Sequence, residues 1–169
     1  MSPSLHITLV SEAQREPLID LLCELNAHYH PEAPAARALV REHAMLHLLA
    51  PSAPLQLLVA SDAAGRLKGL AAYAWTYSLV SPEPERRQQC QLKELFVSAE
   101  SRGQGLARAL MAEPARRALA QGCQRIDWPV QAGNRQGLAF YASLGARQVE
   151  DRLSWRLDPA ALCALSSCA

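Results

Sequence analysis

The sequence predicts an α/β fold: a single domain with a mixed, mostly antiparallel central sheet and helices on both faces. Three observations predict it. The elements read in the order β-α-α-β-β-β-α-β-α-β, and three consecutive strands argue against a purely parallel, doubly wound sheet. The chain has 169 residues, 50% of them hydrophobic, enough to bury one sizeable core. A strand, QLKELFV, leads through the glycine-containing turn SRGQG into an amphipathic helix.

LHITLV (5–10) alternates and carries β-branched residues, the pattern of a strand. Ser11 and Gln14 have capping-box spacing, and Pro17 is best tolerated in a first helical turn. A helix starting there presents Leu18, Leu21, Leu22 and Leu25 as one apolar stripe. NAHYHPEAP (26–34) breaks it, and a second helix is expected over 34–49. LQLLVAS (55–61) and KGLAAYAWTYS (68–78) are strands joined by the turn DAAGR, with its glycine at position 65. LVSPEPERRQQ (79–89) reads as a polar loop and QLKELFV (91–97) as a strand. The helix after the glycine turn aligns Ala107, Leu110, Met111, Pro114 and Ala118. Pro114 lies where it removes a hydrogen bond and is expected to kink that helix. RIDWPVQ (125–131) reads as a strand, NRQGLAFYASLG (134–145) as a helix ending at Gly145, and LSWRL (153–157) as the last strand. DPAALCAL (158–165) starts as a helix should, with Asp158 capping and Pro159 at the first position.

The formal net charge is +1, which gives no general footprint for nucleic acid or an anionic membrane. Cys23, Cys90, Cys123, Cys163 and Cys168 are odd in number and scattered without C-x-x-C spacing. They read as free thiols in a reducing compartment rather than a disulfide frame or zinc site. MSPSLHITLV has no basic segment followed by a long apolar run, and no uninterrupted apolar stretch nears the roughly 20 residues of a membrane span. A cytoplasmic location is the expectation.

SRGQGLARALM (101–111) is no P-loop, because no lysine follows either glycine, and no dinucleotide fingerprint, because Arg108 stands where a third small residue is needed. A helix start with glycines at 103 and 105, flanked by Arg102 and Arg108, can hold an anion such as a pyrophosphate on its backbone N–H groups. A glycine-rich helix start with no ligand fits the local pattern equally well.

The wider pattern resolves more. LKELFVSAESRGQGLARALM followed by NRQGLAFYASLGA resembles the GNAT superfamily of acyl-CoA-dependent N-acetyltransferases. The family's first motif, Arg/Gln-x-x-Gly-x-Gly/Ala after a strand, is matched by Arg102, Gly105 and Ala107. Its later motif, an asparagine seven residues before a tyrosine and then Leu-Gly, is matched by Asn134, Tyr141, Leu144 and Gly145. The resemblance covers residues 5–158 and leaves 159–169 as a short helix and tail. LKELFV and the ending GARQVEDRLSWRLDPAAL resemble the polyamine and diamine acetyltransferase branch.

The resemblance implies acetyl-CoA as co-substrate, no metal, a small-molecule amine as acceptor and a homodimer. It implies that the strands 91–97 and 125–131 splay apart to admit the cofactor, where Pro129, lacking an N–H, does little harm. The backbone of Leu95, Phe96 and Val97 would pair with the pantetheine arm. The backbone of Gly103, Gln104, Gly105, Leu106, Ala107 and Arg108, with Arg102 beside it, would hold the pyrophosphate; Asn134 and Tyr141 would complete the cofactor site. Transfer is direct in this family, and Tyr141 is the expected acid for the departing thiolate, since a thiol ionises near 8.5 and a tyrosine near 10. Glu94 is the candidate base for the amine. His28, Tyr29 and His30 lie at the helix break where the family often receives the acceptor.

The polyamine branch usually reads Leu-Glu-Asp on this strand; here it reads Leu92-Lys93-Glu94. Alternation puts Lys93 and Glu94 on opposite faces, so Lys93 in the cleft would repel a polycation, whereas Glu94 there would hold a monoamine. The expectation is a small primary amine with one positive charge near the reacting nitrogen, such as an amino acid bearing a carboxylate for Lys93. His43 and His47 have i,i+4 spacing but no further placed ligand, so they read as solvated rather than metal-bound. Cys90 has no histidine partner to activate it. The alternative is a non-catalytic acyl-CoA-binding sensor, which would need neither Tyr141 nor Glu94.

Overall fold

A computed structural model describes residues 5–167. Cys168, counted above as a thiol, and residues 1–4 of the N-terminal stretch lie outside the described residues. The chain divides into two compact units, Met1–Pro129 and Val130–Ala169.

The first unit is built on a five-stranded sheet in sequential order. Its strands are β1 (His6–Leu9), β2 (Gln56–Ser61), β3 (Leu67–Tyr77), β4 (Gln88–Val97) and β5 (Ile126–Asp127). The first three pairings are antiparallel and the β4–β5 pairing is parallel, so the mixed sheet expected from the element order is present. The 62–66 turn closes as read, with Asp62 N–H donating to Arg66 O at 3.0 Å and Gly65 at φ 79°.

Each face is covered. Helix α1 (Arg15–Tyr29) lays Leu18 and Leu21 on Leu57, Val59, Leu70, Ala72 and Phe96. It begins two residues before Pro17, behind a capping turn in which Ser11 N–H donates to Gln14 Oε1 at 3.0 Å. Helix α4 (Leu106–Ala120) covers the opposite face: its Leu110 crowds Gly69, and Arg117 hydrogen-bonds Tyr73, both on the other side of β3 from Leu70 and Ala72. The helix continues through Pro114, which is fully buried.

Helix α2 (Arg37–His43) packs Val40 and Ala44 against Ile19 of α1. Arg37 bridges Glu16 at 3.0 Å and Asp20 at 2.8 Å, and Arg41 pairs with Glu16, so one carboxylate set ties the two helices. The expected helix over 34–49 is thus shorter. Ala36 is extended, and from Ala44 the chain widens into a π-helical turn to Leu48 that Leu49 N–H closes onto Ala44 O at 2.9 Å. The expected loop 79–89 is also interrupted: Pro84–Arg87 forms a helical turn, α3, and β4 already starts at Gln88.

Two strand expectations are corrected. The 125–131 strand contracts to Ile126–Asp127, because Pro129 has no N–H to give a ladder and restricts the residue before it. In the second unit, 153–157 is no strand: Leu153 and Trp155 are 80% and 90% exposed, and no strand among the described residues pairs with the segment. Apolar alternation marks a chain able to pair; pairing also needs a neighbour's N–H and C=O groups. The second unit otherwise follows expectation. Helix α5 (Arg135–Ser143) ends in a turn with Gly145 at φ 85°, and α6 (Pro159–Ser166) is capped by Asp158, whose Oδ1 accepts from Ala161 N–H at 2.8 Å.

Candidate active site

Strand β4 organises the first unit's site. Tyr73 pairs with Leu92 and Ala72 with Glu94, so Lys93 is the additional residue of a β-bulge. The bulge changes the parity of the strand. Leu92 lies on the α4 side with Tyr73, whereas Glu94 lies with Ala72 and Phe96 on the α1 side. Without the bulge, Leu92 and Glu94 would share a face. Lys93 itself is exposed.

Glu94 meets the C-terminal turn of α1. The Tyr29 hydroxyl donates to Glu94 Oε2 at 3.2 Å and lies 3.4 Å from Oε1, and Leu95 N–H donates to Oε1 at 3.1 Å. Burial pushes the Glu94 carboxyl above its ordinary range; the bonds from Leu95 and Tyr29 and the nearby His28 oppose that without overcoming it. A carboxylate whose proton affinity is raised this way is a better base near neutrality than an exposed one.

This carboxylate opens onto a cavity of about 570 Å³, within the range of small-molecule sites. Helix α1 supplies Leu22, Leu25, Asn26 and Tyr29 from one face. The far wall is Leu39, Val40 and His43 of α2 with Leu48 of the π-helical turn, and His30 and Ala35 close the loop between the helices. Asn26 Oδ1 accepts from Ala35 N–H at 2.7 Å and fixes that loop on α1. Of the residues expected near the acceptor, Tyr29, His30 and Glu94 line this cavity. His28 stands beside them, its ring 5.4 Å from that of Tyr29 and 6.1 Å from that of Phe96, and neither His28 nor Lys93 lines the wall.

At its other end β4 runs into the glycine turn. Gly103 and Gly105 have φ 74° and 78°, a conformation that a β-carbon disfavours, and the space a β-carbon would enter is open at both. Gly105 is the N-cap of α4 and, lacking a side chain, gives that end no cap bond of its own. The N–H groups of Leu106, Ala107 and Arg108 occupy the first turn, where a helix offers donors and the positive end of its dipole. Arg102 leans back over Phe96, its guanidinium 5.9 Å from the ring centroid, and Nε donates to Val97 O at 3.1 Å. Gln104 Nε2 donates to Glu100 O at 3.2 Å. Strand β5 pairs with β4 at Cys90 and Gln91, ahead of Glu94 and not between the cavity and the turn. Among the described residues, no strand continues that ladder along Leu95, Phe96 and Val97. A glycine turn at a helix start and an open strand edge fit an extended ligand ending in a pyrophosphate.

Asn134 and Tyr141 belong to the second unit. Asn134 caps α5, its Oδ1 accepting from Gly137 N–H at 2.8 Å, and Tyr141 lies two turns on, half-buried beside Phe140 with ring centroids 5.2 Å apart. His43 and His47 face each other with ring centroids 5.5 Å apart, and no cluster of three or more metal-ligating side chains occurs among the described residues. Cys90 is fully buried and its thiol is pushed up to about 12 by that burial, which disqualifies it as a nucleophile. No helix among the described residues is long and apolar enough to cross a membrane.

Apart from Tyr29, His30 and Glu94, the cavity walls were not anticipated from the sequence as site residues. Their signal is present: Leu22, Leu25, Asn26 and Tyr29 recur at i, i+3, i+4 and i+7.

Comparison with known proteins bears on the family and the fold. A sequence model of the acetyltransferase (GNAT) family matches residues 18–146. Thialysine N-ε-acetyltransferase of Sus scrofa is 31% identical over 64 residues, which span 38% of each chain. An integron cassette protein from the mobile metagenome of V. cholerae superposes with TM-score 0.86 at 25% identity over 98% of both chains. The aminoglycoside acetyltransferase AAC(6')-Iy, solved with a CoA-containing bisubstrate analogue, superposes with TM-score 0.67 at 20% identity over 92% of this chain and 99% of that one, a likeness of fold. With the family model spanning most of the chain, the protein belongs to the GNAT family of acetyltransferases.

Proposed function

We propose that this protein transfers an acetyl group from acetyl-CoA directly to the primary amine of a small molecule. The observation that carries the reading is the placement of Glu94 on β4. One strand presents a half-buried carboxylate to a ligand-sized cavity and, a few residues later, an open edge and a helix start at Gly105.

In this reading the pantetheine arm pairs along Leu95–Val97 and the pyrophosphate sits on the N–H groups of Gly103–Arg108. Glu94 takes one proton from the ammonium, directly or through water, because an alkyl ammonium titrating near 10.4 is not nucleophilic at pH 7. The amine attacks the thioester carbonyl; the C–N bond forms and charge moves to the carbonyl oxygen. Leu95 N–H is engaged by Glu94 in the resting site. It becomes an oxyanion donor when the carboxylate turns to the amine. The C–S bond then breaks, the sulfur takes the Tyr141 proton, and the tyrosinate recovers a proton from the amide nitrogen. Glu94 releases its proton to solvent. The acetyltransferase domain is taken as residues 5–158 with 159–169 as a tail. A homodimer and a cytoplasmic setting belong to the same proposal.

The relatives support amine chemistry by their names: one is a thialysine N-ε-acetyltransferase and another an aminoglycoside N-acetyltransferase. The test is thiol release from acetyl-CoA in the presence of primary amines. Amine-dependent release supports transfer; tight acetyl-CoA binding with no release identifies a sensor instead.

A further inference from the structure

We infer that the acceptor is a monoamine carried on an apolar alkyl or aryl body, bound with its ammonium at Glu94 and its body against Leu22, Leu25, Leu39, Val40 and Leu48. The inference rests on the proposed transfer and names the acceptor class for that same cavity. Among the described residues, Glu94 is the one carboxylate in the cavity wall. Asn26 has its carbonyl oxygen committed to Ala35 N–H. The remaining polar groups, Tyr29, His30 and His43, carry no negative charge to offer a second ammonium. A diamine or polyamine would therefore bring a further cation against leucine and valine side chains with no counter-ion, at the loss of part of its hydration. Lys93 does not line the wall, so an amino-acid acceptor finds no lysine there for its carboxylate. An apolar body meets the opposite balance, since each buried methylene contributes favourably and the cavity is large enough for an aryl-ethyl or hexyl chain.

The experiment compares 2-phenylethylamine and hexylamine with putrescine, spermidine, thialysine and kanamycin, measuring kcat/KM by thiol release. Calorimetric binding of 2-phenylethylamine in the presence of CoA gives a readout independent of turnover. The expected result is a preference of about 10- to 200-fold for the apolar monoamines. Leu39→Asp, with folding checked by circular dichroism, should reverse that preference toward putrescine; an unchanged order in the folded variant overturns the inference. A kcat/KM highest for spermidine, thialysine or kanamycin also overturns it while acetyl transfer stands. Binding of 2-phenylethylamine without acetylation of any amine overturns the transfer and keeps the occupant. Absence of both binding and turnover overturns both.

Discussion

Replacing Glu94 by glutamine separates its chemistry from its architecture. Glutamine keeps the shape of the side chain and an oxygen able to accept from Tyr29 and from Leu95 N–H, the two bonds that hold Glu94 at 3.1–3.4 Å. What disappears is the ability to take a proton. General-base catalysis contributes about 10²- to 10⁴-fold, or roughly 3–5 kcal/mol of barrier, so kcat should fall by that range. The wild-type rate should rise with pH as the carboxyl ionises, with its midpoint above that of an ordinary glutamate because burial disfavours the charge. The variant should lack that rise. Stability moves differently. With its folded-state pKa raised, Glu94 contributes stability that is full below the unfolded-state pKa and lost as pH rises through the folded one. Near pH 7 the variant is therefore expected to be no less stable than wild type. The assays are thiol release from pH 5 to 9 and thermal unfolding at pH 7. A glutamine variant with kcat within twofold of wild type and the same acidic limb would refute the base assignment. A variant that is inactive because it has unfolded would refute the claim that burying this charge disfavours the fold.

Three further predictions follow from the same geometry. Tyr141→Phe keeps the ring beside Phe140 but removes the hydroxyl; kcat should drop by about 10²- to 10⁴-fold with acetyl-CoA affinity little changed, read by single-turnover kinetics. Gly105→Val forces a β-branched residue to φ 78° at the α4 N-cap; the left-handed conformation costs about 1–2 kcal/mol and the side chain enters the cradle, so calorimetry should show acetyl-CoA affinity at least tenfold weaker. Asn134→Ala removes the α5 cap and should lower stability by about 0.5–2 kcal/mol, seen in denaturant titration.

Helices α1, α4, α5 and α6 were legible because their signals are local. Gly145 adopts the positive φ that a position just past a helix end implies, and Asp158 caps α6 because a short acceptor ahead of proline has few better uses. The bulge at Lys93 was not legible. Alternation says nothing of an inserted residue, and that insertion alone sends Leu92 and Glu94 to opposite faces. The cavity was half legible. The stripe through Leu22, Leu25 and Tyr29 announces a buried face, but only the π-helical turn after α2 decides that part of it lines a space rather than a core. The 153–157 segment shows the reverse limit: its sequence describes what it could pair with, and pairing depends on chain far away.

The central claim is acetyl transfer to an amine, and one measurement addresses it directly. The protein is incubated with acetyl-CoA and 2-phenylethylamine, and free CoA thiol and N-acetylated amine are quantified together by mass spectrometry. The account predicts that the two products appear in equal amounts, at a rate proportional to enzyme and reduced about 10²- to 10⁴-fold in Tyr141→Phe. Acetyl-CoA bound tightly at the glycine turn, with neither product formed from this amine or from the wider amine panel, would contradict it.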